Sequence, residues 1–322
     1  MTEPLRPMST GQVLDHTFAL YRKNFLLFVG IATVGPAASV IFQLITVGAN
    51  VTSPFGARMA AGTKLGIGTG IAAGASVVVG YLIMLAGLAI SHAATVKAVA
   101  AVHLGRQTTV IGAYKALRGR ILSLFGTCVL ILLLMVVAVI GVTLAMVPVF
   151  IGIGMLGRTA TGPAAAIIGG LVALVIVALL FVAIIAIYVR YAFAIQACVV
   201  ENLRPRASLK RSVFLSKGSR PRVIAIYFVF FLLSVILGIG LNALAVGAGS
   251  LLHNKIAAAV VVYLAGFIAG SLTGPLATIG ISLLYYDERV RKEAFDLQLM
   301  LSSLDPTEVP GVTPTQINPA QI

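Results

Sequence analysis

The sequence predicts an all-α, polytopic membrane protein in which six transmembrane helices form three hairpins, each preceded by an amphipathic cytoplasmic helix. The first observation behind this fold class is composition: of 322 residues, 59% are hydrophobic and 10% charged, with a mean hydropathy of +1.06. A soluble chain carries about 25% charged and about 45–50% apolar residues, so a water-soluble globular fold is excluded. The other two observations are six long apolar stretches and the amphipathic segments between them.

The apolar stretches are long enough to cross a membrane. A helix needs about 20 apolar residues to span about 30 Å of hydrocarbon. Six segments reach that length without Asp, Glu, Lys or Arg, and we interpret the first as a retained helix, not a signal peptide. The predicted spans are 25–47, 67–90, 121–147, 164–189, 223–246 and 256–286.

The basic residues are distributed unevenly between the intervals that separate these spans. The two terminal segments and the intervals 91–120 and 190–222 contain 19 Lys and Arg, whereas the three other intervals contain 4. All nine acidic residues also fall in the basic group. By the positive-inside rule, both termini are predicted to be cytoplasmic.

Amphipathic segments precede the first, third and fifth spans. Ser9 and Gln12 have the spacing of a capping box, and apolar residues recur at helical spacing after them. Similar patterns occupy 111–121 and 205–217, the latter followed by Gly218 as a stop. The spacing is consistent either with a three-fold repeat or with convergence on the same interfacial physics.

The spans and these segments are predicted to form one membrane domain, 1–304. An apolar stripe that begins at Tyr286 and ends at Leu304 predicts that the last helix continues into the cytoplasm. The remaining segment, 305–322, contains four prolines and is predicted to be a disordered cytoplasmic tail.

Chemistry-bearing motifs are sparse. Gly152 to Gly157 matches G-x-G-x-x-G but lacks the strand and the acidic residue of a dinucleotide site, so we interpret it as a turn. The four histidines are dispersed, no cofactor or metal site is indicated, and the basic residues do not form a nucleic-acid-binding domain. We therefore expect no enzymatic activity.

Two glycine–proline pairs are candidate helix breaks, at Pro36 and Pro275. Broken helices in paired positions can line a transport site, although membrane helices also tolerate proline without such a role. Small-residue spacing, as at Gly266, Gly270 and Gly274, favours close packing within the bundle or a homo-oligomer.

The interval 190–222 carries eight positive charges and one negative charge. Such a cluster either determines topology or also holds anionic lipid headgroups. The candidate lipid contacts are Lys210, Arg211, Lys217, Arg220 and Arg222.

Several segments together resemble the membrane domain associated with bacterial glycerophosphoryl diester phosphodiesterases. They are PMSTGQVLD at 7–15, FALYRKNF at 18–25, VE at 200–201, SLKRS at 208–212, KG at 217–218 and LLYYDERVRKEAFDL at 283–297. Asn202 and Ala294 depart from this pattern, in which glycine is usual. The resemblance implies a six-helix domain of the bacterial plasma (inner) membrane. It implies no active site, because the catalytic barrel of such enzymes needs about 250 residues.

The leading functional hypothesis is a non-enzymatic scaffold that associates with membrane lipids, including anionic ones. The alternative is a small-solute or lipid permease that uses the breaks at Pro36 and Pro275. A permease would require polar side chains of the spans to converge on one cavity. The relevant residues are Gln43, Thr127, Thr143, Asn242, Ser271 and Thr273.

The predicted topology can be tested by cysteine labelling. Single cysteines placed at positions 210 and 292 should not react with a membrane-impermeant thiol reagent in intact cells, because both positions are predicted to be cytoplasmic. The same cysteines should react after permeabilisation. Labelling from outside intact cells would contradict the topology.

Overall fold

The computed structural model describes residues 8–52, 67–103, 105–159, 163–252 and 254–293. Within these ranges all regular structure is helical, which confirms the all-α fold class. The helices are α1 (Thr10–Lys23), α2 (Phe25–Ala32), α3 (Val34–Thr52), α4 (Ile67–His103), α5 (Val110–Lys115), α6 (Ile121–Thr159), α7 (Pro163–Arg190), α8 (Ala194–Val200), α9 (Pro205–Ser216), α10 (Arg220–Ser250) and α11 (Lys255–Glu293).

Six stretches of helix in the described residues are long and apolar enough to cross a membrane, so the chain is a multi-pass membrane protein. They are Phe25–Thr46, Gly74–His103, Ile121–Ala145, Gly169–Val200, Arg220–Ser250 and Ala257–Glu293. Several helices extend past the predicted spans. Helix α6 continues through Gly152 to Gly157, so the turn expected there is wrong. The prediction failed because apolarity reports where hydrocarbon ends, whereas a helix ends where its backbone hydrogen bonding ends.

The spans pair as three hairpins, formed by α3 with α4, α6 with α7, and α10 with α11. Helix α11 also contacts α1, α2, α3 and α4, so it is the central element of the bundle. Residues 281–288 of α11 are all buried, and they lie in a core that includes Phe28, Phe193 and Phe230. The core therefore lies at the end of the bundle where α11 terminates.

The amphipathic segments form helices α1, α5 and α9. The capping box of α1 is present: Gln12 N–H donates to Ser9 Oγ at 3.3 Å, and Ser9 N–H donates to Gln12 Oε1 at 2.7 Å. Helix α9 ends before Gly218, which has a φ of +89°. Helix α5 is shorter than predicted, because turns at 116–120, including Gly119 with a φ of +87°, separate it from α6.

Two helical interruptions occur close to these short helices. The first span breaks at Thr33, three residues before Pro36, and Tyr114 of α5 donates its hydroxyl to the Ile31 carbonyl at 2.6 Å. Helix α7 ends at Arg190, and the chain turns at 191–193 before α8; there Ser212 of α9 donates to the Arg190 carbonyl at 3.1 Å. Side chains of the short helices thus supply donors that a broken helix lacks.

The break predicted at Pro275 is wrong, because α11 runs through this residue as one helix. Tyr21 of α1 donates its hydroxyl to the Leu272 carbonyl at 2.8 Å, in the turn before Pro275. Pro275 removes the backbone donor to the Ser271 carbonyl, and the Tyr21 hydroxyl adds a donor at the next carbonyl, in the turn that the proline disturbs. Burial raises the pKa of both Tyr21 and Tyr114, which keeps these hydroxyls protonated.

The predicted cytoplasmic extension of the last helix is described only as far as Glu293. Tyr286 and Val290, the first two members of its apolar stripe, are buried. The rest of the stripe, from Ala294 to Leu304, and the tail 305–322 lie outside the described residues.

The α3–α4 contact depends on a glycine and provides a stability test. A Cβ added to Gly87 would overlap the Ala38 side chain, whereas one added to Gly141 of α6 would meet no atom within 4 Å. We expect Gly87→Ala to lower stability by about 1–3 kcal/mol through overpacking. Thermal unfolding in detergent measures this, with Gly141→Ala as the matched control. Equal melting temperatures of the two variants would contradict the packing.

Candidate functional site

Helices α1, α5, α8 and α9, the start of α10 and the ends of α7 and α11 together form what we call the polar layer. It contains all the ion pairs found among the described residues. Two clusters of charge organise it, one around Asp287 and Glu288 and the other around Glu201. Their geometry decides which basic side chains are free to contact anything else.

The first cluster neutralises two adjacent carboxylates at the end of α11. Their side chains are 0% (Asp287) and 4% (Glu288) exposed. Arg222 of α10 bridges them, with nitrogen–oxygen distances of 2.8 Å to each. Arg291 pairs with Asp287 at 2.9 Å and Lys292 with Glu288 at 3.3 Å. Both of these are i,i+4 pairs within α11, and their carboxylates are buried.

This cluster also fixes neighbouring backbone. Met8 N–H donates to Asp287 Oδ1 at 2.6 Å, and the Met8 carbonyl accepts from Arg222 and Arg291, each at 2.8 Å. Lys292 donates to the Leu215 carbonyl at the end of α9, at 2.5 Å. The start of α1, the end of α9, α10 and α11 therefore meet at one pair of buried acids.

The second cluster surrounds Glu201, which follows α8. Arg211 of α9 pairs with Glu201 at 2.8 Å and also with Glu293 of α11. Arg289 lies 3.6 Å from Glu201 and 3.3 Å from Glu293, and the Tyr285 hydroxyl donates to Glu201. Burial opposes the charged form of Arg211, but hydrogen bonds and charges of Glu293 and Glu201 outweigh it and raise the pKa of the guanidinium.

These contacts narrow the predicted set of lipid-contacting residues. The guanidinium groups of Arg211 and Arg222 are paired internally with carboxylates, so less of their charge is available to a headgroup, and their role as lipid contacts stays a prediction. Lys210, Lys217 and Arg220 are exposed, as the prediction requires. The sequence could not separate the two groups, because the partner carboxylates of Arg222 are more than 60 residues away along the chain.

Most of the basic side chains in the interval 190–222 keep their charge unneutralised. Six of the eight are exposed and have no carboxylate partner among the described residues: Arg190, Arg204, Arg206, Lys210, Lys217 and Arg220. The polar layer therefore exposes a net positive charge in this interval.

A cavity of about 250 Å³ lies between the first, second and sixth spans, next to one predicted break. Gly35, Pro36 and Gly274 line it, and Gly270 faces Pro36 so closely that an added Cβ would lie 2.9 Å from the proline ring. His92 Nδ1 and Thr278 Oγ1 are 3.0 Å apart at its wall. The small-residue face of the sixth span thus packs partly within the bundle.

A second cavity, of about 260 Å³, shares His92 and Thr278 with the first. Tyr188 and Tyr227, whose ring centroids are 4.7 Å apart, form part of its wall. Gln196 lines it too, and its buried Oε1 has no hydrogen-bond partner among the described side chains. This cavity therefore combines one buried acceptor without a partner among the described residues with imidazole, hydroxyl and apolar groups.

The polar side chains expected to converge in a permease do not gather around the first cavity. Of the six, Thr273 lines it. Five hydroxyl or amide groups donate to carbonyls of their own helices three or four residues earlier: Gln43, Thr127, Thr143, Asn242 and Thr273. Ser271 does the same toward Phe267. Their hydrogen-bonding capacity is directed to the helix backbone.

Among the described residues, no group of three or more His, Cys, Asp or Glu side chains is arranged to hold a metal ion. Cys128 and Cys198 are free thiols. The carboxylates of the polar layer are held by arginine and lysine. Sequence reasoning missed the contact between Tyr285 and Glu201, for which the only signal was an unusual pair of tyrosines before the acidic end of α11.

Comparison with protein families, curated proteins and solved structures gives no match. The resemblance to phosphodiesterase-associated membrane domains therefore rests on the sequence segments quoted above and stays a prediction. At Asn202 the resembled pattern usually has glycine. Asn202 has a φ of +61°, a conformation that favours glycine and that asparagine tolerates.

The pairing of the buried acids predicts a large difference between two neighbouring arginines. Arg222→Gln leaves Asp287 and Glu288 undercompensated, and breaking such a buried pair costs about 3–5 kcal/mol. Arg220→Gln, two residues away on the same helix, removes an exposed charge without a carboxylate partner. Thermal unfolding in detergent should show a large loss for Arg222→Gln and almost none for Arg220→Gln.

Adding Asp287→Asn and Glu288→Gln to Arg222→Gln should restore part of the lost stability, because the unpaired charges are then removed. The prediction fails if the two single arginine variants melt at the same temperature.

Proposed function

We propose that this protein is a non-enzymatic membrane scaffold that associates with anionic lipids through the exposed cations of its polar layer. In this proposal the protein resides in a bacterial plasma membrane with the polar layer on the cytoplasmic side. The 19 to 4 distribution of Lys and Arg supports this orientation.

The observation that carries the proposal is the division of charge within the interval 190–222. Two of its arginines are paired with carboxylates inside the protein, whereas six of its cations remain exposed and without a carboxylate partner in the described chain. Internal ion pairing accounts for the first group only. An anionic membrane surface provides the complementary charge for the second, at about 1 kcal/mol for each cation close to it.

The scaffold hypothesis accounts for the packing inside the bundle better than the permease hypothesis does. The two cavities that share His92 and Thr278 measure about 250 and 260 Å³, and the polar side chains expected of a transport path satisfy helix carbonyls. Glycines instead allow close helix contacts, as between Gly270 and Pro36. A tightly packed bundle with a charged surface is suited to binding lipids or partners at that surface.

Charge neutralisation tests the proposal. The triple change Lys210→Gln, Lys217→Gln and Arg220→Gln should reduce the anionic lipid retained per protein at least about twofold, because each cation contributes an attraction of about 1 kcal/mol. Lipid mass spectrometry of the protein purified from mixed-lipid membranes measures the retained lipid.

Lys255→Gln is the control, since Lys255 begins α11 and the polar layer lies at its other end. The triple variant should still insert and unfold at the wild-type temperature. Unchanged retention of anionic lipid in a folded triple variant would overturn the proposal.

A further inference from the structure

An open apolar groove runs along the outside of the third span next to the polar layer. Its volume is about 420 Å³. One wall is the face of α6 formed by Gly126, Val129, Leu130 and Leu133, which are spaced as neighbours on a helix. The start of α9 closes one end of the groove, through Arg204, Pro205 and Arg206.

The groove is a built feature of the contact between α6 and α9. Pro205 lies against Gly126, where an added Cβ would be 3.0 Å from the proline ring. This close approach holds the start of α9 over the apolar face of α6. Val129 and Leu133 are 40% and 55% exposed, so no other described helix covers this part of the face.

The two arginines of the groove differ from the paired arginine on the same helix. Arg211 is held by Glu201 and Glu293, whereas Arg204 and Arg206 are exposed and have no carboxylate partner in the described residues. The groove therefore has two unneutralised positive charges at its polar end and hydrocarbon side chains along its length. Among membrane molecules, an anionic phospholipid has the matching distribution of charge and hydrocarbon.

We infer that the groove binds one phospholipid with an anionic headgroup. Its phosphate lies between Arg204 and Arg206, and an acyl chain follows α6 from Gly126 toward Leu133. This inference rests on the proposed association with anionic lipid and assigns it a defined site. Arginine suits this role because its planar fork donates two hydrogen bonds to one phosphate.

The absence of tryptophan from the chain allows a direct measurement. Leu133→Trp places a single fluorophore in the groove, and Phe181→Trp places one on α7, at a side chain 64% exposed and outside the groove. The full-length protein is reconstituted in mixtures of phosphatidylglycerol and phosphatidylcholine. In each mixture one of the two lipids carries brominated acyl chains that quench tryptophan on contact.

Quenching at Leu133→Trp should show at least an approximately fivefold preference for phosphatidylglycerol, the effect expected of one cation close to an anionic headgroup. Phe181→Trp should show almost no preference. The double change Arg204→Gln, Arg206→Gln should abolish the preference at Leu133→Trp. The double change Lys210→Gln, Lys217→Gln removes the same amount of charge from α9 and its end, and it should preserve the preference.

A wild-type measurement guards against disturbance of the groove by the tryptophan itself. After detergent exchange, native mass spectrometry should find one phosphatidylglycerol bound to the wild-type chain and none bound to the Arg204→Gln, Arg206→Gln variant. Added inorganic phosphate should not displace it, because the acyl chain contributes to binding. Displacement by phosphate would overturn the assignment to a lipid.

The outcomes separate this inference from the broader function. Equal lipid preference at Leu133→Trp and Phe181→Trp, or equal sensitivity to the two double changes, would overturn the groove site. The general proposal would still stand if Lys210→Gln, Lys217→Gln and Arg220→Gln together reduced retained anionic lipid. If the groove variants behaved as expected but the triple change left the retained anionic lipid unchanged, the groove site would be confirmed and the broader association with anionic lipid refuted.

Discussion

The neutralisation of Asp287 and Glu288 is the constraint on which the polar layer depends. A buried carboxylate is costly unless opposite charges and hydrogen-bond donors surround it. Here Arg222, Arg291, Lys292 and the Met8 backbone supply them, so the segment before α1, the start of α10 and the end of α11 must meet at one place. The charge requirement thus positions α1, α9 and α10 against α11, and it defines the face that carries the surplus cations.

The hydrogen bonds of the short helices impose a second constraint on the bundle. Tyr114 of α5 bonds to the first hairpin, Ser212 of α9 to the second, and Tyr21 of α1 to the third. Each short helix therefore bonds to the hairpin before the one it leads into, with α1 closing the cycle onto the last hairpin. This cyclic arrangement favours the three-fold repeat over independent convergence, because convergence at an interface does not require a common bonding order.

The same chemistry explains the division between structural and surface charges. Arginines whose side chains reach α11 neutralise its acids, as Arg222 and Arg211 do. Cations on the outer side of α9 and its flanking turns find no acid within the described chain. The described residues hold five acids and many more cations, so a net positive charge remains exposed after Glu201, Asp287, Glu288 and Glu293 are paired. The proposed association with anionic lipid makes use of this imbalance.

The sequence by itself determined the spans, because the cost of placing polar groups in hydrocarbon is a local property of each segment. It also determined the capping box at Ser9 and the stop at Gly218, which depend on residues a few positions apart. Only the tertiary structure decided that Arg211 and Arg222 are paired while Arg204 and its exposed neighbours are free. Arg206 and Arg211 are only five positions apart, yet their electrostatic surroundings differ, because ion pairing depends on distances between residues that are remote in sequence and adjacent in the fold.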